Sequence, residues 1–203
     1  MSATDGKILT TELLSVARVQ PGYLSRQSVR PSANGTHVLI QAKDVSPATG
    51  IRSAGLVRFL PERQPELYQV ARGDILIASR GREHQAYLVQ DDLVDTLASS
   101  VFYIVRPRVE SIIPAYLAWW LNRPIVQAQI DSGTRGTGIG YIARQTLEHL
   151  LVVVPPTDVQ SRIAITLDLW RRQQLLQARL DKKREQLIHA VCQQAVQQEK
   201  EQP

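Results

Sequence analysis

Apolar and polar residues follow two rhythms along this chain, and the change falls at a double proline, Pro155-Pro156. Before it, short apolar runs punctuated by glycine and proline predict strands. His37–Ile40, residues 56–60, residues 74–79 and Leu151–Val154 read this way, with 86–89 as the hairpin partner of 74–79. Residues 99–105 (SSVFYIV), stopped by Pro107, carry the strongest strand signal. Residues 9–19 alternate weakly and fit a short helix or a strand. Helices are predicted at Pro114–Leu121, where proline suits the first turn, at 125–130 beyond Pro124, and at 144–150. Loops are expected from Pro21-Gly22 to Gly35, around Pro47, Gly50 and Gly55, between Pro61 and Pro65, and from Gly133 to Gly140. Strands and helices mix without a regular βαβ repeat. The fold class predicted is mixed α/β (α+β), a sheet with helices beside it.

After the prolines the rhythm becomes helical. From Asp158 to Gln198 there is neither glycine nor proline, and about 40 residues at ~1.5 Å each make a helix of roughly 60 Å. Thr157, three residues ahead of Gln160, predicts a capping box. Leu169, Gln173, Leu176, Leu180, Lys183, Leu187 and Ala190 recur in alternating steps of four and three, the seam of a coiled coil. Ile188, Val191 and Ala195 widen the apolar face. Polar residues in such a seam weaken pairing and fix register. A seam this long outlasts the surface of a compact domain, so a second helix is expected over Leu169, Leu176, Leu180, Leu187 and Val191. A helix folded back on its own domain is the alternative. The boundaries expected are a globular domain over 1–156, the pairing helix over 157–198 and a disordered tail over 199–203. Arg171, Arg172, Lys182, Arg184 and Glu185 read as solvated helix faces.

Charge sharpens the picture because it is unevenly spread. The net charge is +5. Residues 18–82 hold ten bases against four acids, a balance of +6, whereas residues 83–157 hold five bases against seven acids. Nine of the ten bases are arginines, whose planar donor fork suits phosphates and guanine edges. A solvated surface fits the same charge, so charge alone does not assign nucleic acid.

Candidate chemistry is sparse. Cys192 is the only cysteine, which excludes disulfide scaffolds and cysteine zinc sites and makes a reducing cytoplasm the expected location. No apolar run is long enough to span a membrane, and residues 1–7 lack the apolar core of a secretory signal. The glycines at 133, 136, 138 and 140 lack the lysine–hydroxyl pair of a nucleotide loop and the spacing of a dinucleotide fingerprint; they read as a structural loop with Arg135 at its tip. His37, His84, His149 and His189 are not spaced as metal ligands. Ser79, His84 and Asp74 contain the types of a nucleophilic triad without a nucleophile elbow. His84, beside Arg80 and Arg82, reads as a loop residue at a DNA contact or simply at the surface. Glu62 and Glu66 read as an exposed pair. Of the adjacent Trp119 and Trp120, one is expected to pack inward and the other against a neighbouring element. No catalytic residue, metal or cofactor is expected.

These blocks, in their order, resemble the DNA-specificity subunits of type I restriction–modification systems. Val38 to Val45 (VLIQAKDV) is similar to an early strand of their target-recognition domains, and Arg72-Gly-Asp-Ile-Leu-Ile77 to their Gly-Asp-Ile-Leu strand. Residues 99–122, ending YLAWWLN, resemble the strand and helix that follow. The most specific part is LEHLLVVVPPTDVQSRIA (147–164): short helix, apolar strand, double proline and a glutamine opening a long helix. Members of the family usually carry two recognition domains and two antiparallel spacer helices; one of each stands here, as in a natural half-subunit, a truncation or an excised piece. The resemblance implies that residues 1–156 are a target-recognition domain and that the helix forms an antiparallel coiled coil, with a homodimer restoring the two-headed arrangement. It implies double-stranded DNA and a methyltransferase subunit as partners, joined by a restriction/translocase subunit, and a non-catalytic role. Arg26, Arg30, Lys43, Arg52, Arg80, Arg82 and Arg135 are the expected DNA contacts. Two rivals stand beside this reading: an assembly adaptor of another defence complex that binds no DNA, and a small DNA-modifying enzyme fragment. The second lacks support, because Val154-Pro155-Pro156-Thr157 has neither flank of a methyltransferase catalytic motif.

Overall fold

The computed structural model describes residues 8–200 except Gln27, Ala48, Arg63, Arg82, Glu83 and 136–139; the side chains of Thr134, Arg135 and 198–200 also lie outside the description. Two compact units emerge, one up to Arg162 and the other from Ile163 onward. The weakly alternating residues 9–19 resolve into a strand, one helical turn and a second strand: β1 (Leu9–Glu12), α1 (Leu13–Val16) and β2 (Ala17–Pro21). There follow β3 (His37–Ile40), a 3-10 turn (Ala42–Asp44), the short pair β4 (Val45–Ser46) and β5 (Gly50–Ile51), β6 (Val57–Phe59) and a 3-10 turn at Pro65–Tyr68. Next come β7 (Ile75–Ala78), β8 (Ala86–Leu88), β9 (Thr96–Ala98) and β10 (Phe102–Pro107). The last stretch holds α2 (Pro114–Leu121), α3 (Pro124–Ser132), β11 (Thr134–Arg135), β12 (Tyr141–Ile142), α4 (Arg144–Glu148), β13 (Leu151–Val154) and α5 (Thr157–Lys200).

Two sheets form the centre of the first unit. One has the order β2-β10-β7-β8, antiparallel throughout; the other has the order β6-β3-β9, with β3 and β9 parallel. The predicted strand at 99–105 starts three residues late, because 99–101 is the turn between β9 and β10, closed by Phe102 N donating to Ser99 O at 3.0 Å. Side chains alternate with the pleat. Leu76, Phe102 and Ile104 share a cluster with Ile40 and Ala98, while Leu39 and Leu97 turn to the other face with Tyr23 and Phe59. Ile75, Leu76 and Ile77 are all fully buried, so the larger sheet is covered on both faces there. That explains why β7 reads as a continuous apolar run and not as an alternation. Its edge strand β8 is closed by one side chain: Ala86 N donates to Asn122 Oδ1 (2.8 Å) and Asn122 Nδ2 donates to Ala86 O (2.7 Å).

β1 pairs antiparallel with β13, so the start of the described chain is sewn to the strand that leads into α5. At that junction Gln160 is fully buried. Its Oε1 accepts from Ile113 N (2.8 Å), and its Nε2 donates to Ser111 O (2.7 Å) and Pro155 O (2.8 Å). The expected capping box is therefore not formed. Thr157 is already the first helical residue, and the Gln160 amide turns inward to backbone groups that water does not reach, while exposed helix-end N–H groups can be hydrated.

The second unit is the body of α5, helical throughout its described length, with no break where the prediction placed none. Intrahelical pairs Asp168–Arg172 (2.8 Å) and Asp181–Arg184 (3.4 Å) lie on its charged faces. The seam is exposed, with Leu169 at 60%, Leu176 at 58%, Leu180 at 52%, Leu187 at 65% and Val191 at 56%. No described helix is long and apolar enough to cross a membrane.

Candidate nucleic-acid interface

In the first group of predicted cations, Lys43 lines an open cleft of about 450 Å³ together with Tyr23, Ser25, Val29, Gln41 and Ser99, and the others lie next to these residues in sequence or by hydrogen bond. The floor of the cleft is set by a close approach. Tyr23 N donates to Ala98 O (2.6 Å) and Gly22 N to Phe102 O (2.9 Å). A Cβ on Gly22 would lie 2.3 Å from Ser99 O, so only glycine brings the two backbones together. Lys43 projects from the 3-10 turn after β3. Buried Asp44 fixes that turn by accepting from Gln41 N at 2.9 Å. Arg52 stands beside it: Arg52 N donates to Asp44 O (2.8 Å) and its Nη2 to Lys43 O (2.6 Å). Arg26 and Arg30, both exposed, flank the cleft residue Val29 in sequence, and Glu62 holds that loop through Arg26 N (3.3 Å) and Ser25 Oγ (3.4 Å).

The second group lies on the other side of the 99–101 turn. Ser79 N and Ser79 Oγ both donate to Val101 O, at 2.8 and 2.9 Å, and Arg80 follows at the end of β7. Arg80 forms a β-bridge with Tyr141, and Tyr141 pairs with Arg135 through β11–β12, so Arg80, Tyr141 and Arg135 stand in one row across three strands. A two-residue antiparallel pair, β11 with β12, thus flanks the predicted glycine loop, whose residues 136–139 lie outside the described residues. Tyr103 braces it by donating its hydroxyl to Ile142 O at 3.0 Å. Burial raises the Tyr103 pKa, opposed by the nearby Arg144 and Arg80 charges.

The 99–101 turn therefore belongs to both groups: one side lines the cleft and the other seats Ser79–Arg80. Arg26, Arg30, Lys43 and Arg80 are exposed and, among the described residues, no side chain pairs with their charges. Other basic residues of the first unit are occupied. Arg58 donates to Gly35 O (3.1 Å), Arg72 pairs with Asp92 (3.4 Å), and the Arg106 fork takes both oxygens of buried Asp74 (2.7 and 2.6 Å), which raises its pKa. Arg82 lies outside the described residues; Arg135 is placed by backbone alone. Sequence reasoning missed Tyr23, Ser25, Gln41 and Ser99, all in the cleft lining. Ser99 Oγ is buried without a partner among the described residues, in a lining that mixes polar side chains with Val29, Leu39, Ala42 and Val101.

His84 lies in the loop between β7 and β8 as expected, but its burial corrects the surface reading. It is 2% exposed, with Nδ1 2.8 Å from Ala78 O and Nε2 3.9 Å from Asp131, so it faces neither DNA nor solvent. Ser79, His84 and Asp74 each bond elsewhere and form no triad. Trp119 and Trp120 are both half-buried, so neither packs fully inward, while Trp120 meets the neighbouring β13 as expected of one of them. Arg123 lies over both rings, 4.6 Å from that of Trp120 and 5.6 Å from that of Trp119, and Trp120 Nε1 donates to Leu151 O at 3.2 Å. Among the described residues no three His, Cys, Asp or Glu side chains are grouped to hold a metal ion.

No protein-family model matches the chain, and no curated protein matches it in sequence. Solved structures do. The S subunit of a type I restriction-modification system from M. genitalium matches at 12% identity over 84% of this chain and 40% of that one, with a TM-score of 0.55. The HsdS subunit from Thermoanaerobacter tengcongensis matches at 21% identity over 90% and 48%, with a TM-score of 0.61. A chain from a structure of complex assembly and conformational transition of the type I R-M system matches at 18% over 94% and 45%, with a TM-score of 0.64. The resemblance read from the sequence thus holds at the level of the fold, mixed α/β with a long C-terminal helix. The chain spans less than half the length of each of these structures.

Proposed function

We propose that this chain is a non-catalytic DNA-specificity subunit of a type I restriction–modification system, reading one half-site per copy in the cytoplasm and docking a methyltransferase subunit, to which a restriction/translocase subunit can be added. The observation that carries the reading is the fold, shared over 84–94% of the chain with S subunits of such systems. The cations support it. Lys43 lines the cleft, Arg52 is bonded to the Lys43–Asp44 turn, Arg26 and Arg30 lie in the loop that holds the cleft residues Ser25 and Val29, and Arg80 and Arg135 both stand opposite Tyr141. Phosphate contacts from these residues would orient the protein, while polar cleft groups reach base edges. Arg82 belongs to the same proposed set by its place two residues after Arg80.

In this reading residues 1–156 are the target-recognition domain and 157–198 the spacer helix. The helix pairs through Leu169, Leu176, Leu180, Leu187 and Val191 with a second copy, since five apolar side chains more than half exposed along one stripe call for a cover. Two copies related by a two-fold axis present two identical reading heads, so the target is a split, inverted repeat with an unread gap. Selection from a random DNA pool, with the methyltransferase subunit present, tests this. Recovery of a gapped inverted repeat is expected; a single asymmetric, ungapped site would contradict two-fold reading. Absence of any enriched sequence would favour an adaptor that binds no DNA.

A further inference from the structure

The seam of α5 is close to a palindrome in its polar and apolar order, and this fixes more than the existence of a pair. We propose that two copies of α5 pack antiparallel in one register, with the two-fold axis passing at Ala178. The proposal rests on the reading that a second copy covers the seam antiparallel, and adds the register in which the two helices align.

Heptad spacing assigns Gln173, Leu180 and Leu187 to one core position and Leu169, Leu176, Lys183 and Ala190 to the other. In a parallel pair each residue meets its own copy. Lys183 would then face the partner's Lys183 inside the seam, and on the flanks Arg179 would face the partner's Arg184 twice. Like charges there oppose pairing. Reversing one helix makes the two core positions meet each other. If Leu176 is set opposite the partner's Leu180, then Leu169 falls opposite the partner's Leu187, and Gln173 opposite the partner's Lys183. Every seam leucine then meets a leucine. The one cation of the seam meets an amide whose oxygen can accept from it. Sliding by one heptad breaks this match: Leu180 falls opposite the partner's Lys183 in one direction, and Leu187 opposite the partner's Arg162 in the other.

The flanks agree with that register. Trp170, 61% exposed, comes opposite the partner's Arg184, the geometry of a cation–π contact, on both sides of the axis. Gln177 meets its own copy beside the axis on one edge and Arg179 does so on the other. The Arg179 contact is the single like-charge contact of the arrangement, against three in the parallel pair. Exposed Cys192 lies away from the seam, and at ~1.5 Å per residue the two copies of it stand about 42 Å apart.

Single cysteines placed in the full chain, in a Cys192→Ser background, read the register under mild oxidation. Gln177→Cys and Arg179→Cys are expected to link to their own copies at least roughly tenfold faster than Leu187→Cys, because the axis holds them at high effective concentration. Leu187→Cys is expected to link when mixed with Leu169→Cys. Both axial substitutions are at exposed positions, so the helix is retained; sedimentation of each variant before oxidation checks the dimer. Self-linking of Leu187→Cys would establish a parallel pair and overturn the proposal. A dimer that links to itself only at Arg184→Cys, or at no axial position, would overturn the register while leaving two-fold pairing standing. A monomer would overturn both. DNA reading is untouched by any of these outcomes, since the assay contains no DNA.

Discussion

Gln160 has no exposed surface, and three backbone groups from two turns converge on its amide. Gln160→Ala leaves Ile113 N–H and two carbonyls buried without partners, at a cost of roughly 3 kcal/mol; urea unfolding of the full chain should show a lower midpoint with little change in slope. The residue was visible in the sequence, and its role was not. Thr157 and Gln160 carry the local pattern of a capping box, but the deciding partners lie 47 and 49 residues away in sequence. His84 was misread for the same reason, because a polar neighbourhood in sequence says nothing about what packs over a side chain. Tyr116 offers a test by pH. Its buried hydroxyl donates to Val153 O at 2.6 Å, and burial raises its pKa, with Arg123 lowering it in part. The unfolded chain therefore loses this proton first, so stability is complete below about pH 10 and falls as pH rises from there toward the folded value. Alkaline unfolding of Tyr116→Phe should show a shallower fall than the parent; an unchanged slope would deny the effect. At the proposed DNA contacts, Lys43→Gln and Arg80→Gln should each reduce the slope of log affinity against log salt by about 1, if each cation neutralises one phosphate. An unchanged slope for both, measured by fluorescence anisotropy, would remove them from the contact set.

Elements were legible where several residues carried one rhythm. α2 begins and ends where Pro114 and the apolar run place it, and β7 and β13 follow from runs of Ile, Leu and Val. The misses are short. β9 has three residues and merges in the sequence with the run that becomes β10, and β11 and β12 have two each. Such elements are specified by partners: β9 exists because β3 lies parallel beside it, and no local pattern announces that. The cleft shares this origin, since Tyr23, Gln41 and Ser99 come together only after β3, β9 and the loop of Gly22 are in place. The seam of α5 was legible because a heptad is a local rhythm. Its polar layers invite a test at the same scale. Replacing Gln173 and Lys183 together by Leu should raise the thermal midpoint of the proposed dimer and weaken its choice of register, since the slip that sets Leu180 opposite position 183 of the partner is no longer penalised. A lower midpoint in a protein of unchanged helicity would argue that these positions do not lie in a shared seam.

The proposed dimer joins two copies of the first unit, the proposed reading heads, through their paired helices. α5 alone has 44 residues, about 66 Å at ~1.5 Å each, which suits it to a ruler between half-sites. A ruler differs from a tether in sensing the phase of the double helix. The measurement that tests this most directly uses the methyltransferase-loaded protein and two probes. One carries the inverted half-sites at their selected gap; in the other the gap is changed by five base pairs, turning one half-site about 180° around the duplex. Affinity for the rephased probe should fall by about 10²-fold, toward that of a single half-site. Equal affinity for the two probes would contradict a two-headed reader joined by a rigid coiled coil.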